Sequence, residues 1–314
     1  MVKIGSPLMS MSASGKIGER LVFSKRASGQ QARFQKAQKD KITLPRCTNR
    51  FLYSLASITW KYLSQVQKDV YNVQAVSMKI TGYNYFMSLA LADPKTYLGL
   101  VGYWPFDEVT GAVAYDKSKQ GNNGAFKTTY PTNCPVRIPA FNQKLGNAVY
   151  SSSSDKYILC TGGYNFKDFG NHNFTLSCFV TPKQLNVLSL FISNYYSRGV
   201  GIELYNNYFY VAIGYSIDGT WGDYIKSSKP YIVDRTYHVA FVRSGNNLSF
   251  YVDSVYQGAV TGFTSDVTAS VSQISLCSRS GSWGGFVDLS HPMCFNRALS
   301  VNEIKEIHRR AFDK

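Results

Sequence analysis

The chain has no stretch approaching the roughly 20 consecutive apolar residues that a membrane span requires, and its first residues lack the apolar core of a secretory signal. Membrane insertion and classical export are therefore not expected. Cysteine is sparse: Cys47, Cys134, Cys160, Cys178, Cys277 and Cys294 form no CxxC pair and share no ligand spacing with histidine, which argues against zinc. Cys160 and Cys178 lie in strand-like runs, where a free thiol behaves as a small buried hydrophobe. The four histidines, His172, His238, His291 and His308, stand in no nucleophile or metal motif, so satisfied or solvated side chains are expected. Acids are also scarce, 19 Asp and Glu against 34 Lys and Arg, a formal charge of +15. The excess is uneven. Residues 1–95 hold fifteen bases against only Glu19, Asp40, Asp69 and Asp93, a net +11, which leaves +4 for the remainder. Such asymmetry points to an acidic partner for the first third, protein or nucleic acid, or to a solvated tail.

The chain is rich in aromatics, 15% of its 314 residues, which suits half-buried strands, and its length favours two folded units. Residues 1–45 are small, polar and basic with little apolar period, and read as an extended basic arm. Within it Arg20-Leu-Val-Phe-Ser24 alternates well enough for one strand, and Lys16, Arg20, Lys25, Arg26, Arg33 and Lys36 are the expected anchoring contacts. Residues 46–95 form a small helical module. Helical period runs over Thr48–Ser64; Ser64-Gln-Val-Gln67 is a capping box opening a second helix to about Met78, with Val66, Val70 and Val73 as its buried face. Thr81-Gly82 ends that helix and a third covers Tyr83–Leu91, with Tyr85, Phe86 and Leu89 inward.

From Leu98 the period becomes two. Runs such as Phe174–Val180, Gly201–Leu204, Tyr208–Ile213, Tyr237–Val242 and Leu248–Val252 are separated by Gly, Asn, Asp and Ser clusters, which predicts a mainly β, antiparallel sandwich over residues 96–314. Ser300-Val-Asn-Glu303 is a second capping box, opening a helix to Phe312. Retaining hydrolysis needs two carboxyl groups about 5 Å apart. The candidate strands offer only Asp288 alone and Glu203 alone, so no catalytic residues and no enzyme activity are expected.

Gly102-Tyr-Trp-Pro-Phe-Asp-Glu108, Ala114-Tyr-Asp116, Gly121-Asn-Asn-Gly-Ala-Phe126, Phe174-Thr-Leu-Ser-Cys-Phe-Val-Thr-Pro182, Tyr237-His-Val-Ala-Phe-Val242 and Phe295-Asn-Arg-Ala-Leu-Ser300 occur in an order that resembles the laminin G-like jelly rolls of the concanavalin A-like lectin and glucanase superfamily. The resemblance covers residues 98–312. It implies binding, of glycans or glycosylated proteins, at the loop-rich rim or on a concave sheet. Exposed aromatics in polar loops are the expected glycan contacts: Trp221 and Trp283 first, then Tyr195, Tyr196, Tyr215 and Tyr224, whereas Trp104 is expected in the core. No cofactor is required. Calcium at the rim is an expectation tied to Asp116, Asn122, Asn123, Asp155 and Asp288, against which stands the ordinary use of Asp and Asn in turns.

Gly15-Lys-Ile-Gly18, Leu21-Val-Phe-Ser24, Trp60-Lys-Tyr-Leu-Ser64, Gln67-Lys68, Tyr71, Ala75 and Thr81-Gly-Tyr-Asn-Tyr-Phe86 are similar to a short module of phage and prophage structural proteins. That similarity implies a virion protein, a capsid decoration or head fibre with the capsid exterior favoured over the tail. Residues 1–95 would engage capsid or other virion proteins, the jelly roll would face a glycan or host surface, and copies would form a homo-oligomer on the particle. The alternatives are a tail fibre, a surface adhesin, or a nucleic-acid binder, because residues 60–75 also resemble the second helix of an HMG box.

Overall fold

The computed structural model describes residues 42–127, 134–153, 155–166, 172–194, 199–214, 225–264, 273–279 and 282–312, together with the backbone of 15–17, 21–26 and 29–34. The chain divides into two compact units, residues 1–41 and 42–314. In the first, the expected strand is present as Leu21–Arg26, and Gly15–Ile17 and Gly29–Phe34 pair antiparallel on either side of it. This stretch is thus a three-stranded meander rather than an extended arm, because one edge strand leaves its backbone groups unpaired and each flanking strand satisfies one side. Lys16, Lys25, Arg26 and Arg33 lie on these strands, and Arg20 and Lys36 fall outside the described residues.

The second unit has three layers. One eight-stranded antiparallel sheet runs Val255–Val260, Asn247–Val252, Tyr237–Ser244, Phe174–Pro182, Val287–Phe295, Asn147–Ser151, Val136–Pro139, and Leu100–Tyr103 also pairs with Val287–Phe295. The other runs Ile225–Lys226, Tyr208–Gly214, Gly199–Tyr205, Ser189–Ser193, Gln273–Leu276, Ile158–Thr161, Gly124–Phe126, Val113–Ala114. Alternation decides the facing: Val200, Ile202 and Leu204, like Leu176, Cys178 and Val180, enter the core between the sheets with Trp104 and Phe166. All six cysteines are buried as thiols.

Helices cover the outer face of the first sheet. They are α1 (Leu44–Tyr62), α2 (Gln65–Ala75), α3 (Gly82–Ala92), α4 (Pro94–Leu98) and α5 (Val301–Phe312). A second core joins Phe51, Leu55 and Ile58 of α1, Phe86 of α3 and Ile304 and Ile307 of α5 to Tyr103, Phe179, Ala240, Met293 and Phe295 of that sheet. The helical segment is therefore one layer of the sandwich unit and not a module with its own core. Two full helices and a short third bury too little apolar surface alone, and the sheet supplies the rest. Arg297 ties the layer down: it donates to Leu98 O at 2.7 Å, Glu303 Oε1 at 2.7 Å and Thr59 Oγ1 at 3.4 Å. Gly99, at φ +71°, takes the left-handed turn that ends α4, and a side chain there would meet Arg297.

Both capping boxes are present, Ser64 with Gln67 and Ser300 with Glu303. The buried face expected for α2 is not. Val66, Val70 and Val73 are 76%, 52% and 73% exposed, and α2 instead buries Ala75 and packs Tyr71 against Trp60 and Phe86. The apolar spacing was right for a stripe, but the aromatic contact of the opposite side won the neighbour. Of α3, Phe86, Met87 and Ala90 are buried while Tyr85 and Leu89 are half-buried. Val70→Ser is accordingly expected to change stability by less than about 0.5 kcal/mol, as surface substitutions do; a loss of several degrees in melting temperature would show that this face is covered.

Candidate functional site

The helix-backed sheet carries a polar cavity of about 210 Å3 at its margin, lined by Pro139, Phe141, Ala148, Thr181, Lys183, Asp234, Thr236, Asp288 and Ser290. Strand alternation explains the membership. Val180 and Leu289 point into the core, so Thr181, Asp288 and Ser290 point outward, and register places Thr181 opposite Asp288. Asp234 is brought in by a turn at φ +62° whose amide donates to Pro182 O at 2.9 Å. Phe141 forms an apolar wall, 41% exposed, with its ring 4.8 Å from that of Phe312 and 5.8 Å from Phe179.

Lys183 bridges the two acids, with Nζ 2.9 Å from Asp234 Oδ1 and 2.9 Å from Asp288 Oδ2. Burial works against the lysine charge, but the hydrogen bonds to Asp234 and Asp288 outweigh it and hold Lys183 above the usual lysine range. Burial raises Asp288, and the Lys183 hydrogen bond offsets part of that shift. Asp288 Oδ1 is buried and accepts no hydrogen bond. The Thr181 and Thr236 hydroxyls share a 2.7 Å hydrogen bond. Carboxyl groups, exchangeable hydroxyls and one flat ring are the groups that hold a small polyhydroxylated ligand.

The five residues singled out for calcium do not come together. Asp116 accepts from Tyr103 N at 3.0 Å, Ser118 N at 2.8 Å, Ser118 Oγ at 2.8 Å and Asn122 N at 3.0 Å. Asn122 donates to Val101 O and accepts from Tyr164 N, while Asn123 accepts from Asp116 N. These three side chains pin the chain around Trp104, which is fully buried and donates to Asn122 O at 2.8 Å. Asp155 is bonded to Ser153 Oγ, and Asp288 is paired with Lys183. Among the described residues no group of three His, Cys, Asp or Glu side chains is placed to hold a metal.

Of the aromatic candidates, Tyr195, Tyr196, Tyr215, Trp221 and Tyr224 fall outside the described residues, and for Trp283 only its place in the strand Ser282–Gly284 is described. Sequence reasoning missed the tyrosines on the strands themselves. Tyr205 and Tyr210 stack edge to face at 5.8 Å, Lys226 Nζ lies 3.7 Å over the Tyr208 ring, and Glu203 stands beside them across from Tyr210. Burial raises Glu203 to about 7. Their alternation with Val200, Ile202, Leu204, Phe209 and Val211, which all enter the core, was the available signal.

Two packed antiparallel sheets with alternating inward residues, the jelly-roll sandwich, define a lectin-like binding fold. Residues 152–305 match the Laminin_G_3 family model, described as the Concanavalin A-like lectin/glucanases superfamily, and the two packed sheets agree with a jelly roll of that kind. Among solved structures it is similar to the binding domain of Paraclostridial Mosquitocidal Protein 1, at 16% identity and TM-score 0.53 over 68% of this chain and 52% of that one. It is likewise similar to the binding domain of Botulinum neurotoxin DC in complex with SialylT, at 12% identity, TM-score 0.53 and the same coverages. The chain thus spans about half the length of these two toxin domains. Domain 4 of AbnA, an extracellular arabinanase from Geobacillus stearothermophilus solved with arabinotriose, is matched over 98% of its length and 67% of this chain at 14% identity and TM-score 0.52. No curated protein matches the chain.

Proposed function

We propose that this protein is a non-catalytic, glycan-binding display protein whose jelly roll takes a sugar in the Thr181, Lys183, Asp234, Asp288 cavity. The observation that carries the reading is a sugar-sized space in which the Thr181 and Thr236 hydroxyls and the Asp234 and Asp288 carboxyl groups stand beside the Phe141 ring. At about 210 Å3 the cavity is smaller than the ~300–1,000 Å3 that drug-sized ligands fill, so it suits one saccharide unit. The similar AbnA domain, solved with arabinotriose, supports a sugar as the ligand class. Weak single-site affinity is sufficient where many copies act together.

The basic N-terminal unit serves in this reading as the anchor, with the virion surface as its place and acidic capsid protein as its partner. Support comes from the charge of residues 1–41, nine bases against Glu19 and Asp40 for a net +7, and from the resemblance of residues 1–95 to phage structural modules. Glycan-array screening of the full chain tests the binding function, with Phe141→Ala expected to weaken any hit at least tenfold. A hit unaffected by Phe141→Ala and by Thr181→Val would move the site elsewhere. Removing residues 1–41 is expected to release the protein from particles in co-sedimentation; retention would overturn the anchor.

A further inference from the structure

We infer that the cavity selects neutral or amino-bearing sugars and rejects carboxylated ones. This rests on the glycan reading above and adds its ligand class. The cavity is lined by one lysine and two aspartates. Selection follows from how those three charges are already committed. Among the described residues Lys183 is the only cation in the lining, and its ammonium is held at 2.9 Å by both Asp234 Oδ1 and Asp288 Oδ2. An incoming carboxylate therefore finds an ammonium already held by both acids, in a lining of one lysine and two aspartates whose charges sum to −1. Like charges brought together in a partly desolvated site repel strongly.

A hydroxyl or an ammonium reverses that account. Each can donate a hydrogen bond to the exposed Asp234 carboxylate, while the Thr181 and Thr236 hydroxyls, bonded to each other at 2.7 Å, can turn to serve a second sugar oxygen. A lining with a net negative charge discriminates by what the ligand donates. Asp234 is the exposed carboxylate of the lining and Asp288 the half-buried one, so an ammonium is drawn by both.

The test is titration calorimetry of the full chain with three trisaccharides of matched size: arabinotriose, the glucosamine trimer and the galacturonic acid trimer. The galacturonic acid trimer is expected to bind at least tenfold more weakly than the better of the other two. Asp288→Asn is expected to narrow that gap at least tenfold, and Lys183→Met, which leaves the acids unpaired, to widen it. If all three trimers and a glycan array fail to bind, the glycan reading falls and this inference with it. If the galacturonic acid trimer binds as tightly as the others, or if Asp288→Asn leaves the preference unchanged, the charge inference alone falls and sugar binding stands.

Discussion

Acidification from pH 6.5 to 4.5 is expected to remove about 3 kcal/mol of stability from the sandwich unit, and His238→Gln is expected to abolish most of that loss. His238 and His291 are buried under the helical layer. His238 Nε2 is 2.8 Å from Ser177 Oγ and its ring stacks on His308, whereas neither nitrogen of His291 has a partner beneath Phe51 and Tyr103. The expectation of satisfied or solvated histidines is thus corrected at His291. Two residues of the strand Val287–Phe295, His291 and Pro292, bulge opposite Cys178, which turns the His291 ring out toward α1.

Burial lowers both histidines to about 3. A base depressed from 6.5 is protonated first in the unfolded chain, so its stability contribution is complete above pH 6.5 and is lost as pH falls toward 3. Glu203 opposes this. Raised to about 7, it binds its proton first in the folded state and stabilises as pH falls from 7 to 4.5. Two protons against one leave a net of one, about 1.4 kcal/mol per pH unit, between 6.5 and 4.5. Below 4.5 Glu203 no longer compensates, and the slope doubles to about 3 kcal/mol per unit. Glu306, held at about 2 by its hydrogen bonds to Arg309 and Arg310, adds to the loss there. Such a slope exhausts a net stability of ~5–15 kcal/mol within a few pH units. Urea titrations followed by tryptophan fluorescence, where Trp60 reports the helices and Trp104 the sandwich, measure both slopes. A wild-type slope of zero, or the same slope in His238→Gln, would refute this account.

Asp116→Ala is expected to cost at least about 4 kcal/mol, since it strands three buried backbone amides and a serine hydroxyl at ~1–3 kcal/mol for each unmet group. Asp116→Asn keeps one acceptor oxygen and should cost less. The same variants decide the role of calcium. With Asp116 consumed by Tyr103, Ser118 and Asn122, millimolar calcium is expected to leave the melting temperature of the wild type unchanged and to rescue neither variant. A rise of several degrees with calcium, lost in Asp116→Ala, would establish an ion at this turn.

Much of the fold is legible locally. Capping boxes at Ser64 and Ser300 mark helix starts because donor and acceptor lie three residues apart, and period-two runs mark strands because the pleat alternates side chains whatever the partner. The core position of Trp104 followed likewise from its place in the first strand motif. The site is less legible. Asp288 stood out as an isolated acid, but nothing near it in sequence announces Lys183 or Asp234, which reach it through strand pairing and a turn.

The sequence by itself determined the charge division, the helices and strands, and the apolar faces that each could bury. Only the tertiary structure decided which faces were used. Val66, Val70 and Val73 stay exposed because Trp60 and Phe86 took Tyr71 instead, and His291 lost both partners because a bulge turned it beneath α1. Local pattern records what a segment can offer, whereas burial depends on the neighbour that topology delivers.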